Sequence, residues 1–463
     1  MSTIKKYESL LLESKLASPG LVSGTFFLHP RGCFIWEQIQ SFLNAEFSKL
    51  GVSNVLFPAL LPFQKFQEEQ KNSETLNLEE IMRLHNSKSE QSVVALRPTS
   101  EILFSHYFRE RLKERDIKLP FLLNQWSSVY REERNTKLFF RSKEFYWQEL
   151  HSLHENQKDL DFHLEKIHEI YKKLLRELLC IEYITGEKTI LERFPGAQKT
   201  LTNECILPDG QSLQLTTTHD LSNFFSKLMD IKYWGANDIE MTPLQLSAGS
   251  STRLIGALVE MHKDSVGVIL PWNLSKENIA ILLLGENRDE ETISYISSIR
   301  EKLCNYRLHI DDSYSSFGKK INKVERLGIP VSLIIGQQEI KNKKITIKSR
   351  LSESKYECDL SNLENEISRF SKEYDQKLRE RSENKKLSLI KESYKMEELV
   401  QLVKEGNLVL SPWFNDLENE QNFQECKYNF SPRCIKEEIK DKDLYCVFSG
   451  KKANCLAYFG RSY

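Results

Sequence analysis

The sequence predicts a mixed α+β protein of several domains: an antiparallel sheet with its helices comes first, an α/β unit second and a small α/β unit last. Three observations carry that prediction. The chain has 463 residues, too many for one hydrophobic core and enough for two or three domains. Two alternating apolar runs, Trp126 to Tyr130 and Phe145 to Leu150, are separated by a basic polar segment, the pattern of an antiparallel hairpin. After Pro271 the texture changes to short apolar runs at 279–284, 306–310, 331–336 and 344–348, separated by helical patterns such as 290–304, which marks a separate α/β domain.

Taken in order, the first 21 residues are polar and read as an arm or short helix. A strand-like run from Gly24 reaches a turn at His29-Pro30-Arg31-Gly32, and a helix follows because Ile35, Ile39, Phe42 and Phe47 fall near one stripe. Asn54 to Pro58 reads as a strand ending in proline, and 64–91, polar and without Gly or Pro, as a surface helix and loop. From Asp159 to Cys180 the residues Leu160, Leu164, Ile167, Tyr171, Leu174 and Leu178 recur at helical spacing, a scaffold helix rather than a site. Phe194-Pro195-Gly196-Ala197 is a turn, and Pro208-Asp209-Gly210 a hairpin turn feeding a strand at Gln214. Ser250 to Met261 reads as a helix with Leu254, Ala257, Leu258 and Met261 on one face. A highly charged helix over 363–391 reads as a linker, and 397–463 as a third small unit.

Composition excludes some classes of function. Lys plus Arg (65) nearly cancel Asp plus Glu (66), so there is no global basic field and any RNA contact must use a local patch. Nine cysteines are scattered without a CxxC pair, no apolar run approaches membrane-spanning length, and the start does not read as a signal peptide. A reducing cytoplasmic setting with free thiols is expected. No GxxxxGK[ST] loop and no GxGxxG fingerprint occurs, so a P-loop or Rossmann nucleotide site is not expected.

The hairpin carries the chemistry. If its strands alternate faces, Arg131 and Glu133 point to one side, and Trp147, Glu149 and His151 share a face of the partner strand. An Arg, two Glu and a His converging on one sheet face are costly to bury unless a charged ligand completes the set. The competing reading is an edge hairpin with solvated charges.

Neighbouring segments extend the pattern. Arg97-Pro98-Thr99-Ser100-Glu101, Arg131-x-Glu133, Arg141, Trp147-Gln148-Glu149-x-His151, Gln214-x-x-Thr217-Thr218-His219 and the run Gly249 to Ala257 follow one another in order. Together they resemble the signature blocks of prolyl-tRNA synthetase, a class II aminoacyl-tRNA synthetase, and the ending Phe459-Gly460-Arg461-Ser462-Tyr463 is similar to that of its archaeal- and eukaryote-like branch. The resemblance implies a class II antiparallel-sheet catalytic domain over 1–274, an anticodon-binding-like α/β domain over 275–370, a charged helical linker over 371–396, and a C-terminal domain with a degenerate zinc site over 397–463. It also implies a cytoplasmic homodimer without membrane contact, whose first motif, the helix and strand before Pro58, lies at the dimer interface. The implied reaction is ATP-dependent activation of L-proline to prolyl-adenylate and transfer to the 3' end of tRNA(Pro).

Site residues follow from the same resemblance. In activation a carboxylate attacks the α-phosphate of ATP, so two anions must be held in line, a task suited to planar guanidinium groups. Arg131 takes that role, with Arg253 as the second catalytic residue. Glu133 reads the adenine amine, Arg141 and Arg253 hold the outer phosphates, and Gln214 and Thr217 touch nucleotide. Mg2+ accompanies the pyrophosphate, carried mostly by phosphate oxygens and water. Thr99 and Glu101 accept the proline ammonium, and Arg131, Trp147, Glu149, His151, His219 and Ser251 complete the proline pocket. Taken singly, Trp147 reads equally as core and the two histidines as structural.

Three departures from the family pattern stand out. The family's Trp-Gly is Ala248-Gly249 and its Glu-Gly-His is Glu149-Leu150-His151, so Leu150 is expected to fill space that Ala248 vacates near the pocket, an altered substrate being the alternative. The family's His-Gly-Asp-Asp is likewise His262-Lys263-Asp264-Ser265. In the second domain Lys320 and Glu325 are expected at the tRNA anticodon, but Ser332 stands where an arginine is expected and cannot make its bidentate contact. Cys426, Cys434, Cys446 and Cys455 lack metal-ligand spacing, so no zinc is expected. Two other readings stay open: a diverged paralogue (an inhibitor-tolerant copy, or one that adenylates a proline analogue or serves another acceptor), and a catalytically silent tRNA-binding module. The retained phosphate-binding arginines speak against the silent module.

Overall fold

A computed structural model of the chain describes residues 3–70, 78–84, 93–115, 117–235, 238–285, 289–439 and 443–463. Its centre is an eleven-stranded sheet. From one edge the strands run Ile390–Glu392, Leu408–Trp413, Cys455–Ser462, Ser431–Glu438, Ile184–Glu187, Lys199–Ile206, Gln211–Ser222, Leu244–Ser251, Glu144–His154, Phe121–Tyr130 and Ser53–Val55. The expected hairpin is there and longer than the sequence suggested, pairing antiparallel from Phe121 opposite Leu153 to Tyr130 opposite Glu144.

One face of the sheet is covered by helices whose apolar stripes the sequence announced. Pro30–Ser48 begins with proline in its first turn, where a missing N–H costs nothing, and buries Ile35, Ile39, Leu43 and Phe47. Gln157–Lys173 is capped by the Asn156 side chain accepting from Asp159 N–H, and buries Leu160, Leu164, Ile167 and Tyr171. These helices share one core with Tyr7, Leu150, Leu254 and Leu258. The expected helix over 250–261 starts late: Ser250 and Ser251 end a strand, and the helix is Arg253–Met261. Of the segment 64–91, helix Phe63–Gln70 and a short turn at Leu78–Glu80 are described, while 71–77 and 85–91 lie outside the described residues.

The second domain holds a five-stranded sheet whose strands Ile279–Leu283 and Val331–Ile335 are buried on both faces. That is why they read as apolar runs, interrupted only by Ser332. Arg350 ties this domain to the first, its guanidinium donating to both oxygens of Asp264 at 2.7 and 2.8 Å. Asp264 belongs to the divergent His262-Lys263-Asp264-Ser265 segment, which here serves the domain seam.

The charged helix and the tail are both joined to the first domain. The expected linker is part of one continuous helix, Leu363–Leu389, fastened along its length: Asp375 accepts Trp272 N–H at 2.7 Å, and Ser382 accepts Glu182 N–H at 2.9 Å. The tail is also not a sheet of its own. Ile435 pairs with Glu187, and Gln211 with Arg461, so the tail's strands extend the catalytic sheet. Gly186 permits the seam, because a Cβ there would collide with the Ile435 carbonyl.

Asp375 generates a pH prediction. It is 9% exposed, and burial pushes its pKa up to about 6. A folded-state pKa above the unfolded value of about 3.9 means that stability is full below the unfolded value and is lost as pH rises through about 6. Asp375→Asn keeps an oxygen for Trp272 N–H. It should raise stability at pH 8 by on the order of 2 kcal/mol, with the gain fading towards about pH 4. Thermal melts across pH check this; a melting temperature at pH 8 no higher than that of the unmodified chain would refute it.

Candidate active site

The sheet face opposite the helices carries a cavity of about 330 Å³, within the range of small-ligand sites. Strand alternation builds it. Trp147, Glu149 and His151 point to this face from Glu144–His154, and register places Ser251, Gly249 and Ser247 beside them on the next strand. One strand further, Thr217 lies beside Gly249 and His219 beside Ser247. Asn203 faces Thr216 but Glu204 faces Gln214, so a bulge at Leu215 turns Gln214 onto the cavity side.

At one end the cavity is acidic. Glu101 and Glu149 are 9% and 4% exposed. The Thr99 hydroxyl donates to the Glu101 carboxylate. Glu149 Oε1 accepts from Ser100 N–H at 3.2 Å and lies 3.3 Å from His151 Nε2, while its Oε2 has no hydrogen-bond partner among the described residues. Burial, and next the Glu149 charge, push the Glu101 pKa up. His151 stacks on Phe104 at 4.1 Å. His219 meets Thr200 Oγ1 through Nδ1 at 3.0 Å and Phe194 at 4.8 Å, and burial pushes its pKa down to about 3, so it is neutral at pH 7.

The other end is basic. Arg131 donates to the Pro98 carbonyl at 3.1 Å and lies over the rings of Phe145 and Trp147 at 5.5 and 5.6 Å. Arg253 donates to the carbonyls of Gln214 at 3.3 Å and Phe140 at 3.2 Å. Burial, followed by the charges of Arg131 and Arg141, pushes its pKa down to about 10. Clustered guanidinium groups make a site for an anion.

Of the expected residues, Thr99, Glu101, Arg131, Trp147, Glu149, His151, Gln214, Thr217, His219, Ser251 and Arg253 line the cavity. Glu133 and Arg141 do not line it. They sit on the segment joining the hairpin strands, where Arg141 donates to the Tyr463 carbonyl at 3.0 Å. Phe145, Glu192, Arg193 and Phe194 line the cavity without having been singled out; Phe194 read only as part of a turn. The ring of Tyr463 packs against that of Phe140 in a tilted arrangement, centroids 4.7 Å apart, beside the arginines. No local pattern announces that contact.

Ala248 and Leu150 are cross-strand neighbours, but strand parity turns both side chains to the helix-packed face, into the core. Leu150 thus packs beside the space at Ala248, and Ala248 also borders the cavity. Lys320 is 1% exposed and donates to the carbonyls of Leu283 at 2.6 Å and Asp311 at 3.0 Å, and Glu325 pairs with Lys348. Both are committed to the second domain's own packing. Cys446 and Cys455 share one apolar cluster, Cys434 sits in another and Cys426 is exposed, so the four do not converge.

Comparison with known proteins covers nearly the whole chain. Residues 83–262 match the family tRNA synthetase class II core domain (G, H, P, S and T), residues 278–370 the family Anticodon binding domain, and residues 396–463 the family Prolyl-tRNA synthetase, C-terminal. The chain is 35% identical over 459 residues to the proline--tRNA ligase of Ureaplasma parvum serovar 3, covering 99% of this chain and 96% of that one. It is 36% identical over 464 residues to the proline--tRNA ligase of Mycoplasma mycoides subsp. mycoides SC, with coverage of 99% and 96%. Its fold is similar to the crystal structure of prolyl-tRNA synthetase from Cryptosporidium parvum complexed with L-proline and AMP, with TM-score 0.93, 25% identity, and coverage of 100% and 95%. The same protein complexed with halofuginone and AMPPNP gives TM-score 0.92 and 26% identity, covering 99% and 94%.

The acidic end makes a prediction independent of catalysis. Two buried carboxylates side by side repel each other, so Glu149→Gln, whose amide can donate to Glu101, should stabilise the ligand-free protein by on the order of 1 kcal/mol. Denaturant midpoints measure it. A loss of stability would mean that the pair is already compensated within the fold.

Proposed function

The chain belongs to the prolyl-tRNA synthetases, and from that premise we propose how its residues divide the work of a proline--tRNA ligase. The observation that carries the assignment is the polarity of the cavity, with buried Glu101 and Glu149 at one end and Arg131 and Arg253 at the other. A zwitterionic amino acid fits that order, ammonium to the carboxylates and carboxylate to the guanidinium groups. The ammonium lies between Thr99, Glu101 and Glu149, with His151 holding Glu149. The ring packs between Trp147, Phe194 and His219, and Ser251 closes the floor.

Activation then requires little proton chemistry. Arg131 holds the proline carboxylate against the α-phosphate of ATP, a carboxylate oxygen attacks phosphorus, and pyrophosphate leaves. Arg253, still charged at pH 7, and Arg141 take the outer phosphates, Glu133 the adenine amine, and Gln214 and Thr217 the nucleotide beside them. In the second step the terminal ribose hydroxyl of tRNA(Pro) attacks the prolyl carbonyl and AMP leaves. Mg2+ would arrive with the nucleotide, held by phosphate oxygens and water, because the arginine-rich end supplies cations rather than carboxylates.

The match to an anticodon-binding domain over 278–370 implies tRNA as partner; with Lys320 and Glu325 engaged internally, contact falls to exposed side chains such as Lys319. A homodimer is supported by the short edge strand Ser53–Val55 and by Leu56, 79% exposed just beyond it. The dispersed cysteines argue against structural zinc. No described helix is long and apolar enough to cross a membrane, and a tRNA substrate places the work in the cytoplasm. A silent module is disfavoured because it has no use for the guanidinium cluster.

Exchange of pyrophosphate into ATP, run across the twenty amino acids and followed by charging of tRNA(Pro), tests the reading. Proline alone should drive strong exchange, and Arg131→Lys, which loses the planar fork, should lower kcat/KM by about 100-fold. No proline-dependent exchange in the unmodified chain would overturn it.

A further inference from the structure

The loop that carries Glu192, Arg193 and Phe194 into the cavity wall is irregular apart from a short turn at Ile190–Glu192. Its far end is held by Phe194 N–H donating to Thr200 Oγ1 at 3.2 Å. Its middle is held by the C-terminal domain. Glu420, fully buried on helix Leu417–Glu425, directs both carboxylate oxygens at the loop: Oε1 accepts the Thr189 hydroxyl at 2.5 Å and Oε2 accepts Leu191 N–H at 3.0 Å. Arg433, 4% exposed on strand Ser431–Glu438, lies 3.4 Å from the Glu192 carboxylate and 3.1 Å from that of Glu204. Glu204 in turn pairs with Lys188 at the root of the loop. Burial alone would raise the Glu204 pKa, yet Lys188 and Arg433 bring it down to about 2. The charged network is therefore complete, and removing one member would leave another buried without its partner.

We propose that Glu420 and Arg433 are positioning residues for amino-acid binding: through Thr189, Leu191 and Glu192 they set the loop that brings Phe194 against the proline ring. Proline affinity then depends on side chains of the C-terminal domain that touch neither proline nor ATP. A domain matched only as a C-terminal appendage becomes part of the wall of the amino-acid pocket. Charge-assisted bonds to backbone N–H and hydroxyl groups suit this task, since they fix position as well as proximity. The inference rests on the reading of the cavity as the proline site.

The test is pyrophosphate exchange by the full chain, with proline and ATP varied separately, for Glu420→Gln, Thr189→Val and Thr189→Ser. Glu420→Gln and Thr189→Val should raise the proline KM at least fivefold and leave the ATP KM within twofold, while Thr189→Ser, which keeps the hydroxyl, stays near the unmodified chain. A proline KM within twofold of normal in both altered chains overturns the proposal, as does a parallel rise in both KM values, the mark of general loosening. If Glu420→Gln fails to fold, the Thr189 pair decides alone. Absence of proline-dependent exchange in the unmodified chain would instead overturn the assignment of the site itself.

Discussion

Two carboxylates buried side by side, one with an oxygen that has no partner among the described residues, set the terms for the rest of the structure. Such a pair is unfavourable in an apolar interior, and the fold compensates only in part. Glu101 is the first residue of helix Glu101–Leu112, and Ser100 N–H at the same helix start donates to Glu149. The positive end of that helix thus faces both charges. What it leaves uncompensated is a single cation's worth of attraction, aimed into a cavity walled by Trp147, Phe194 and His219. A cyclic secondary ammonium satisfies the charge and the wall together.

The opposite end of the cavity is the electrostatic mirror of the first. Burial, and next the charges of Arg131 and Arg141, depress the Arg253 pKa, and the hydrogen bonds of Arg131 and Arg253 run to backbone carbonyls, so their positive charge is not cancelled. Ground-state repulsion among cations becomes stabilisation when a carboxylate and a triphosphate enter and charge shifts toward the leaving pyrophosphate. The sheet supplies the rigidity this requires. Glu149, Gly249 and Thr217 lie in one cross-strand row and His151, Ser247 and His219 in the next, so the spacing of the two ends is fixed by backbone pairing.

Much of this was legible in the sequence, for physical reasons that can be stated residue by residue. Period-two alternation exposed the Trp147, Glu149 and His151 face, and apolar stripes exposed the helices behind it. What local pattern could not show was pairing between distant segments. The tail's strands read as a separate unit, but Ile435 and Arg461 pair into the catalytic sheet across more than two hundred residues. Lys320 lies in a highly charged helix, and only the fold reveals that it turns inward to Leu283 and Asp311. The bulge that brings Gln214 to the cavity and the switch from strand to helix at Thr252 also had no one-dimensional signal. Ala248 and Leu150 carry the same lesson. A departure adjacent in sequence to site residues joins the core behind the strand while Ala248 still borders the cavity.

On the proposed reading the buried carboxylate pair recognises the amino acid by its ammonium. Calorimetric titration of the ligand-free protein with L-proline and with tetrahydrofuran-2-carboxylate, in which the ring nitrogen is an oxygen, tests it most directly, since the two share shape and carboxylate and differ in the cation. Proline should bind and the oxygen analogue should bind at least 100-fold more weakly, about 2.7 kcal/mol or more. Comparable binding of the two would contradict the account, because the site would then be selecting the ring and carboxylate and leaving Glu101 and Glu149 without a role in recognition.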